Sequence, residues 1–129
     1  MKVAVDVVRR WYDAFASGDM ATVEELLDPS IRFLVPGDNQ FSGEYRGRAE
    51  LMDLWARMKD FTSGTFRVRV HEIIGTHNLA AVLVDAFAER GHESVAETDI
   101  EVHRVRDGRI IEISLFIEDV EAGDVFWNA

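Results

Sequence analysis

Ala4, Val7, Val8, Trp11 and Phe15 recur at three- and four-residue spacing, a single apolar stripe that predicts a first helix. Ser17-Gly18 closes it, glycine being suited to the left-handed cap position. Asp19 is placed to cap a short second helix over residues 20–27, which Asp28-Pro29 ends. Residues 31–35 read as a short strand, Pro36-Gly37-Asp38-Asn39 as a turn, and residues 41–47 as a loop with two glycines. Leu51, Leu54, Trp55 and Met58 mark one face of a third helix, closed by Thr62-Ser63-Gly64. From Phe66 the period drops to two. Residues 66–74 alternate with Arg67, Arg69 and His71, and residues 79–90 form a longer, more apolar strand ended by Gly91-His92. A hairpin over residues 97–117 follows, then a tail that ends in Val125, Phe126 and Trp127. Three helices and one early strand before a four-strand meander make an α+β pattern.

The hairpin decides where the chemistry can sit. Alternation places Glu97, Asp99, Glu101 and His103 on one face of its first strand, and Thr98, Ile100, Val102 and Arg104 on the other. With Asp107-Gly108 as a two-residue loop, Val105 pairs with Ile110, Glu101 lies opposite Ser114, and the acids face water. With Arg106-Asp107-Gly108 as a three-residue loop, the second strand slips by one. Glu101 then faces Ile113 and Asp99 faces Leu115, so the carboxylates stand on an apolar floor. Both loop lengths are common.

Composition narrows the partners. A chain of 129 residues predicts one domain, 1–129, with one core. The net charge of -10 argues against nucleic acid and anionic membranes. Cysteine is absent, which removes disulfides and thiolate chemistry. Asp6, Arg9 and Arg10 interrupt the apolar run at the start, against a signal peptide or membrane span, so a cytoplasmic protein is expected. His71, His77, His92 and His103 are not paired at ligand spacing, and no metal or other cofactor is expected.

The runs VRRWYDAFASGD, FLVPG, YRGRAELM and HRVRDGRIIEI, in this order and spacing, resemble the SnoaL-like branch of the nuclear transport factor 2-like superfamily. That superfamily includes ketosteroid isomerases, polyketide cyclases and limonene epoxide hydrolases. The resemblance covers nearly the whole chain. It implies a cone-shaped, curved, mostly antiparallel sheet wrapped around three N-terminal helices, with a pocket at the open end, usually as a homodimer. It also implies an inward-pointing residue at Glu101, which favours the three-residue loop.

The catalytic groups of these relatives carry over only in part. The general-base Asp of ketosteroid isomerases falls on Val35. Their oxyanion-binding Tyr falls on Trp11, with Tyr12 one place away, and their protonated Asp falls on Glu101. The acid of the polyketide cyclases falls on Leu115, and the Arg and two Asp of the epoxide hydrolases on Ala81, Leu83 and Leu115. Each known route loses at least one essential group.

What remains is the acidic row. Carboxylates spaced about 7 Å apart on an apolar floor cannot all stay ionised without a cation, so at least one pKa must rise. A neutral Glu101 would donate a hydrogen bond to a substrate carbonyl, as the protonated carboxyl of ketosteroid isomerase does, while Asp99 or His103 moves a proton. Trp11, Tyr12, Phe33, Trp55, Ile113 and Leu115 are the expected substrate-binding residues. The expected ligand is a small apolar carbonyl compound, and the expected chemistry that of an isomerase, cyclase or hydrolase. Two other readings compete with it: a solvated acidic face held near Arg67 and Arg69, and a non-catalytic binding or dimerisation module that keeps the cone. In the favoured register Ile100, Val102, Ile110 and Phe116 form an outer apolar strip, which independently predicts a homodimer.

Overall fold

The computed structural model describes residues 2–129. Its elements are α1 (Val3–Ser17), α2 (Met20–Leu26), β1 (Leu27–Val35), β2 (Gly43–Arg46), α3 (Arg48–Phe61), β3 (Arg67–Gly75), β4 (Leu79–Arg90), β5 (Glu93–Arg106), β6 (Arg109–Phe116) and α4 (Val120–Trp127). The predicted caps are in place. Gly18 sits at φ 77° and closes α1, and the Asp19 carboxylate accepts from the Thr22 amide at 3.2 Å.

One six-stranded sheet runs in the order β2-β1-β6-β5-β4-β3. Every neighbouring pair is antiparallel except β1 and β6, which run parallel. The sheet is open and curved, and α1 and α3 fill its concave side. The stripe of α1 buries Ala4, Val7, Val8, Trp11 and Tyr12 against Val82, Val84, Ile110 and Ile113. Among the described residues, no helix is long and apolar enough to cross a membrane.

Three expectations of the chain pass are corrected. The early strand begins at Leu27 rather than Ile31, because Leu27 already pairs with Ile110 of β6 before the ladder breaks around Pro29 and resumes at Arg32. The region read as a loop over 41–47 contains β2, an exposed edge strand that pairs Arg46 with Arg32. The tail folds as α4, capped by Asp119, and buries Phe126 and Trp127 with Phe41 and Leu54 in a second cluster at the open end.

The hairpin joins neither of the two expected arrangements. Its loop is two residues long: Arg106 pairs with Arg109, and Asp107 and Gly108 take φ of 53° and 77°, both left-handed. The expected three-residue loop is therefore absent. Ile111 is instead an extra residue on β6, so that Val105 pairs with Ile110 but Arg104 pairs with Glu112. The bulge restores what the loop does not supply. Beyond it Glu101 stands opposite Leu115 and His103 opposite Ile113, and the acidic row faces the concave side. Ile110, expected on the outer strip, is fully buried in the core, because it precedes the bulge.

Candidate functional site

Between the helices and the concave face lies a cavity open at one end. Its wall is aromatic and aliphatic. Trp11, Tyr12 and Phe15 come from α1, Phe33 from β1, Trp55 and Met58 from α3, and Leu115 from β6. Trp11 is wedged against Tyr12, Phe15, Trp55 and His103, with ring centroids 5.0–5.6 Å apart. Onto this apolar surface β5 projects Glu97, Asp99 and Glu101. Among the described residues, no Lys, Arg or His lines the cavity.

The three carboxyls find different partners. Glu101 accepts from the Tyr12 hydroxyl, and that hydroxyl also lies 2.9 Å from His103 Nε2. With Tyr12 donating to Glu101, the imidazole donates through Nε2, and its Nδ1 is left without a partner. Burial, then the charge and hydrogen bond of Glu101, hold the Tyr12 hydroxyl well above its ordinary pKa. Asp99 is almost completely buried, and its Oδ1 accepts from the Glu118 amide at 3.2 Å, where β6 hands over to α4. Glu97 lies next to Asp99 in the row, and its Oε2 is buried with no partner.

Electrostatics separates the outer pair. Desolvation first, and then the neighbouring charge of Asp99, push the Glu97 carboxyl up to about 8. Desolvation and the charge of Glu101 raise Asp99 to about 6, against the lowering effect of the Glu118 amide and the Glu97 hydrogen bond. The pair therefore keeps a proton to higher pH than free carboxyls do, and Glu97 is raised further than Asp99.

The expected site is largely assembled, with four corrections. His103 does not reach the cavity; it is fully buried behind Tyr12, because alternation continues inward past the pocket floor. Ile113 pairs with it and belongs to the core rather than the ligand wall. Arg67 and Arg69 do not neutralise the row, since Arg67 stacks 4.6 Å over Phe87 and Arg69 pairs with Asp85 at 3.2 Å. Ala81 and Leu83, matched above to epoxide-hydrolase groups, pair with Val102 and Ile100 on the outer face of the sheet. Those positions lie outside the lining of this cavity.

The mouth was foreseen only at Asp38-Asn39, which the sequence offers as a pocket rim but more readily as a plain turn. Asn39, Phe41, Phe66 and Trp127 frame it. The Asp124 carboxylate accepts from the Asp38 amide at 2.9 Å and from Asn39 Nδ2 at 2.8 Å, strapping α4 to the turn after β1. Two adjacent aromatics at the end of the tail, Phe126 and Trp127, were the available signal for a docked helix.

Comparison with known proteins now bears on this geometry. The family model of the SnoaL-like domain matches residues 8–113. The chain belongs to the SnoaL-like family. An uncharacterised protein of Mycobacterium tuberculosis is 27% identical over 124 residues, 95% of either chain. A cystatin-like fold protein of unknown function from Xanthomonas campestris superposes with a TM-score of 0.92 over 100% of both chains, at 26% identity. IdmH of Streptomyces antibioticus, a candidate polyketide cyclase, superposes with a TM-score of 0.72 at 26% identity, covering 88% of this chain and 90% of its own. The SnoaL-like fold, part of the nuclear transport factor 2-like superfamily, thus accounts for the cone and its cavity.

Proposed function

We propose that this SnoaL-like protein is an acid/base enzyme acting on a small, largely apolar carbonyl compound, as an isomerase, cyclase or hydrolase. The observation that carries the reading is the pairing of Glu97 and Asp99, two adjacent carboxyls raised to different extents in an apolar cavity. The substrate carbonyl takes the proton-bearing carboxyl of Glu97 as its hydrogen-bond donor. The Asp99 carboxylate removes a proton from the carbon next to that carbonyl, and the electron pair moves onto the oxygen. Return of the proton to another carbon gives isomerisation; attack of the enol carbon on a second carbonyl gives cyclisation. Glu101 is held by the Tyr12 hydroxyl, next in the row after the base. Resemblance to a candidate polyketide cyclase supports this class of chemistry.

Exchange of α-hydrogens for deuterium, followed by proton NMR on a panel of cyclic ketones and 1,3-diketones, tests the reading without requiring the natural substrate. The wild type is expected to accelerate exchange with a bell-shaped pH profile, limited near pH 6 by Asp99 and near pH 8 by Glu97. Asp99→Asn is expected to abolish the acceleration, and Glu97→Gln to lower it by roughly 10²- to 10³-fold, as for loss of one oxyanion donor. Exchange at the solvent rate across the whole panel would leave the non-catalytic binding module as the better description.

A further inference from the structure

The polar groups of the cavity wall differ in what they leave open. Asn39 lies in the lining, but both ends of its side chain are taken: Nδ2 donates to Asp124 at 2.8 Å, and Oδ1 accepts from the Phe41 amide at 2.8 Å. The Tyr12 hydrogen goes to Glu101, and the Trp11 indole nitrogen is sealed in without a partner. Among the described residues no Lys, Arg or His lines the cavity. Apart from the carboxyl proton of the Glu97 and Asp99 pair, the wall has no donor to spare. What it leaves open is an acceptor.

That acceptor is the second oxygen of Glu101. The residue lines the cavity, and its side chain keeps 13% of its surface accessible. Oε1 is taken by Tyr12. Among the described residues Oε2 has no partner, and, unlike Glu97 Oε2, it is not one of the buried atoms left unpaired. The group is also fixed from behind. Tyr12 and His103 are both buried, and His103 Nε2 lies 2.9 Å from the Tyr12 hydroxyl. A phenol has one hydrogen, so with the imidazole donating to its oxygen that hydrogen is committed to Glu101. The residues paired with Glu101 on the flanking strands, Val82 and Leu115, are apolar and do not compete for Oε2.

We infer that the ligand carries a hydroxyl at its inner end, remote from the reacting carbonyl, and that this hydroxyl donates to Glu101 Oε2. A hydroxyl matches the site because it brings one hydrogen, whereas an ammonium brings three to a wall that is otherwise apolar there. The position that the family resemblance matches to an oxyanion donor thus works in the opposite sense, as a specificity-determining acceptor. Glu101 lies four residues from Glu97 on β5, about 13 Å along the strand, so the two oxygens sit at opposite ends of the ligand. The ligand class narrows from apolar ketones to hydroxyketones. The inference rests on the proposed placement of the carbonyl at Glu97 and Asp99, but it concerns binding and needs no turnover.

The test compares 6-hydroxy-1-tetralone with 6-methoxy-1-tetralone by isothermal titration calorimetry at pH 6.5, where the phenol keeps its proton. The two share the rings, the carbonyl and the outer oxygen, and only the first has a hydrogen to donate. The wild type is expected to bind the hydroxy compound roughly tenfold more tightly or better, the span of a net hydrogen bond to a charged group. Glu101→Gln keeps the Tyr12 bond through its amide oxygen and turns an amino group to the cavity, so it is expected to bind the two within about threefold of each other. Carbon-detected NMR of the wild type gives a second readout, which holds even if Glu101→Gln does not fold. The Glu101 carboxyl resonance should move further with the hydroxy compound than with the methoxy one. A wild-type preference for the methoxy compound would make Glu101 a donor and overturn the inference. So would equal affinities, an unchanged preference in Glu101→Gln, equal carboxyl shifts, or failure of both compounds to bind. A hydroxy preference without any α-hydrogen exchange would keep this inference and remove the proposed reaction.

Discussion

Glu101, Asp99 and Glu97 have the same surroundings in the sequence and different ones in the molecule. Alternation puts all three on one face. It is silent on Tyr12, whose hydroxyl reaches Glu101 from 89 residues away, and on Glu118, whose amide reaches Asp99. For this reason the row was legible and the division of labour within it was not; the carboxyl that stands out is Glu97 rather than Glu101. The consequence for stability follows from its raised pKa. Glu97 holds its proton in the folded state up to about pH 8, but only to about 4.5 when unfolded. Between these values the unfolded chain binds fewer protons, so stability falls as the pH rises through the window. Glu97→Gln is therefore expected to raise the Tm relative to wild type at pH 8.5 and to leave it nearly unchanged at pH 5, as thermal melts at the two values will read. Tyr12→Phe acts in the opposite direction. It strips the partly buried Glu101 carboxylate and His103 Nε2 of their shared partner, and urea unfolding at pH 7 is expected to show a loss of about 1–3 kcal/mol.

At the scale of elements, periodicity located α1, α2, α3 and the four long strands because each buries one face continuously. It missed β2 and α4. The four residues of β2 are mostly exposed and gain their conformation from pairing with β1, while Gly123 and a mixed pattern mask the helical period of α4. The bulge at Ile111 was invisible for a different reason. The loop favoured one parity and the burial of Ile113 and Leu115 required the other, and only tertiary packing settles such a conflict. Resemblance to the family supplied the correct face through an incorrect loop. Deleting Ile111 removes the extra residue and leaves Glu112 opposite Arg104 and Ile113 opposite His103, so the variant is expected to keep its cooperative unfolding by circular dichroism. Ile111→Ala, which keeps the extra residue, is expected to cost no more than about 1–2 kcal/mol, since that side chain is only half-buried.

The whole molecule leaves one side of its sheet bare. Ile74, Ile100 and Phe116 are 61%, 45% and 58% exposed on the convex face, with Leu83 between them. Exposure of that kind on a sheet centre favours pairing with a second copy, and we propose a homodimer through this face. Sedimentation at micromolar concentration is expected to give a dimer for the wild type and a folded monomer for Phe116→Glu. A monomeric wild type would refute it.

The aromatic wall also makes the molecule its own optical instrument. The chain has three tryptophans, and all of them, Trp11, Trp55 and Trp127, stand in the lining of the cavity. No indole emits from elsewhere to dilute the signal. A compound that enters meets a wall that holds all three indoles, so changes in intrinsic emission report occupancy directly. A ligand search can therefore proceed without label, tag or knowledge of the reaction.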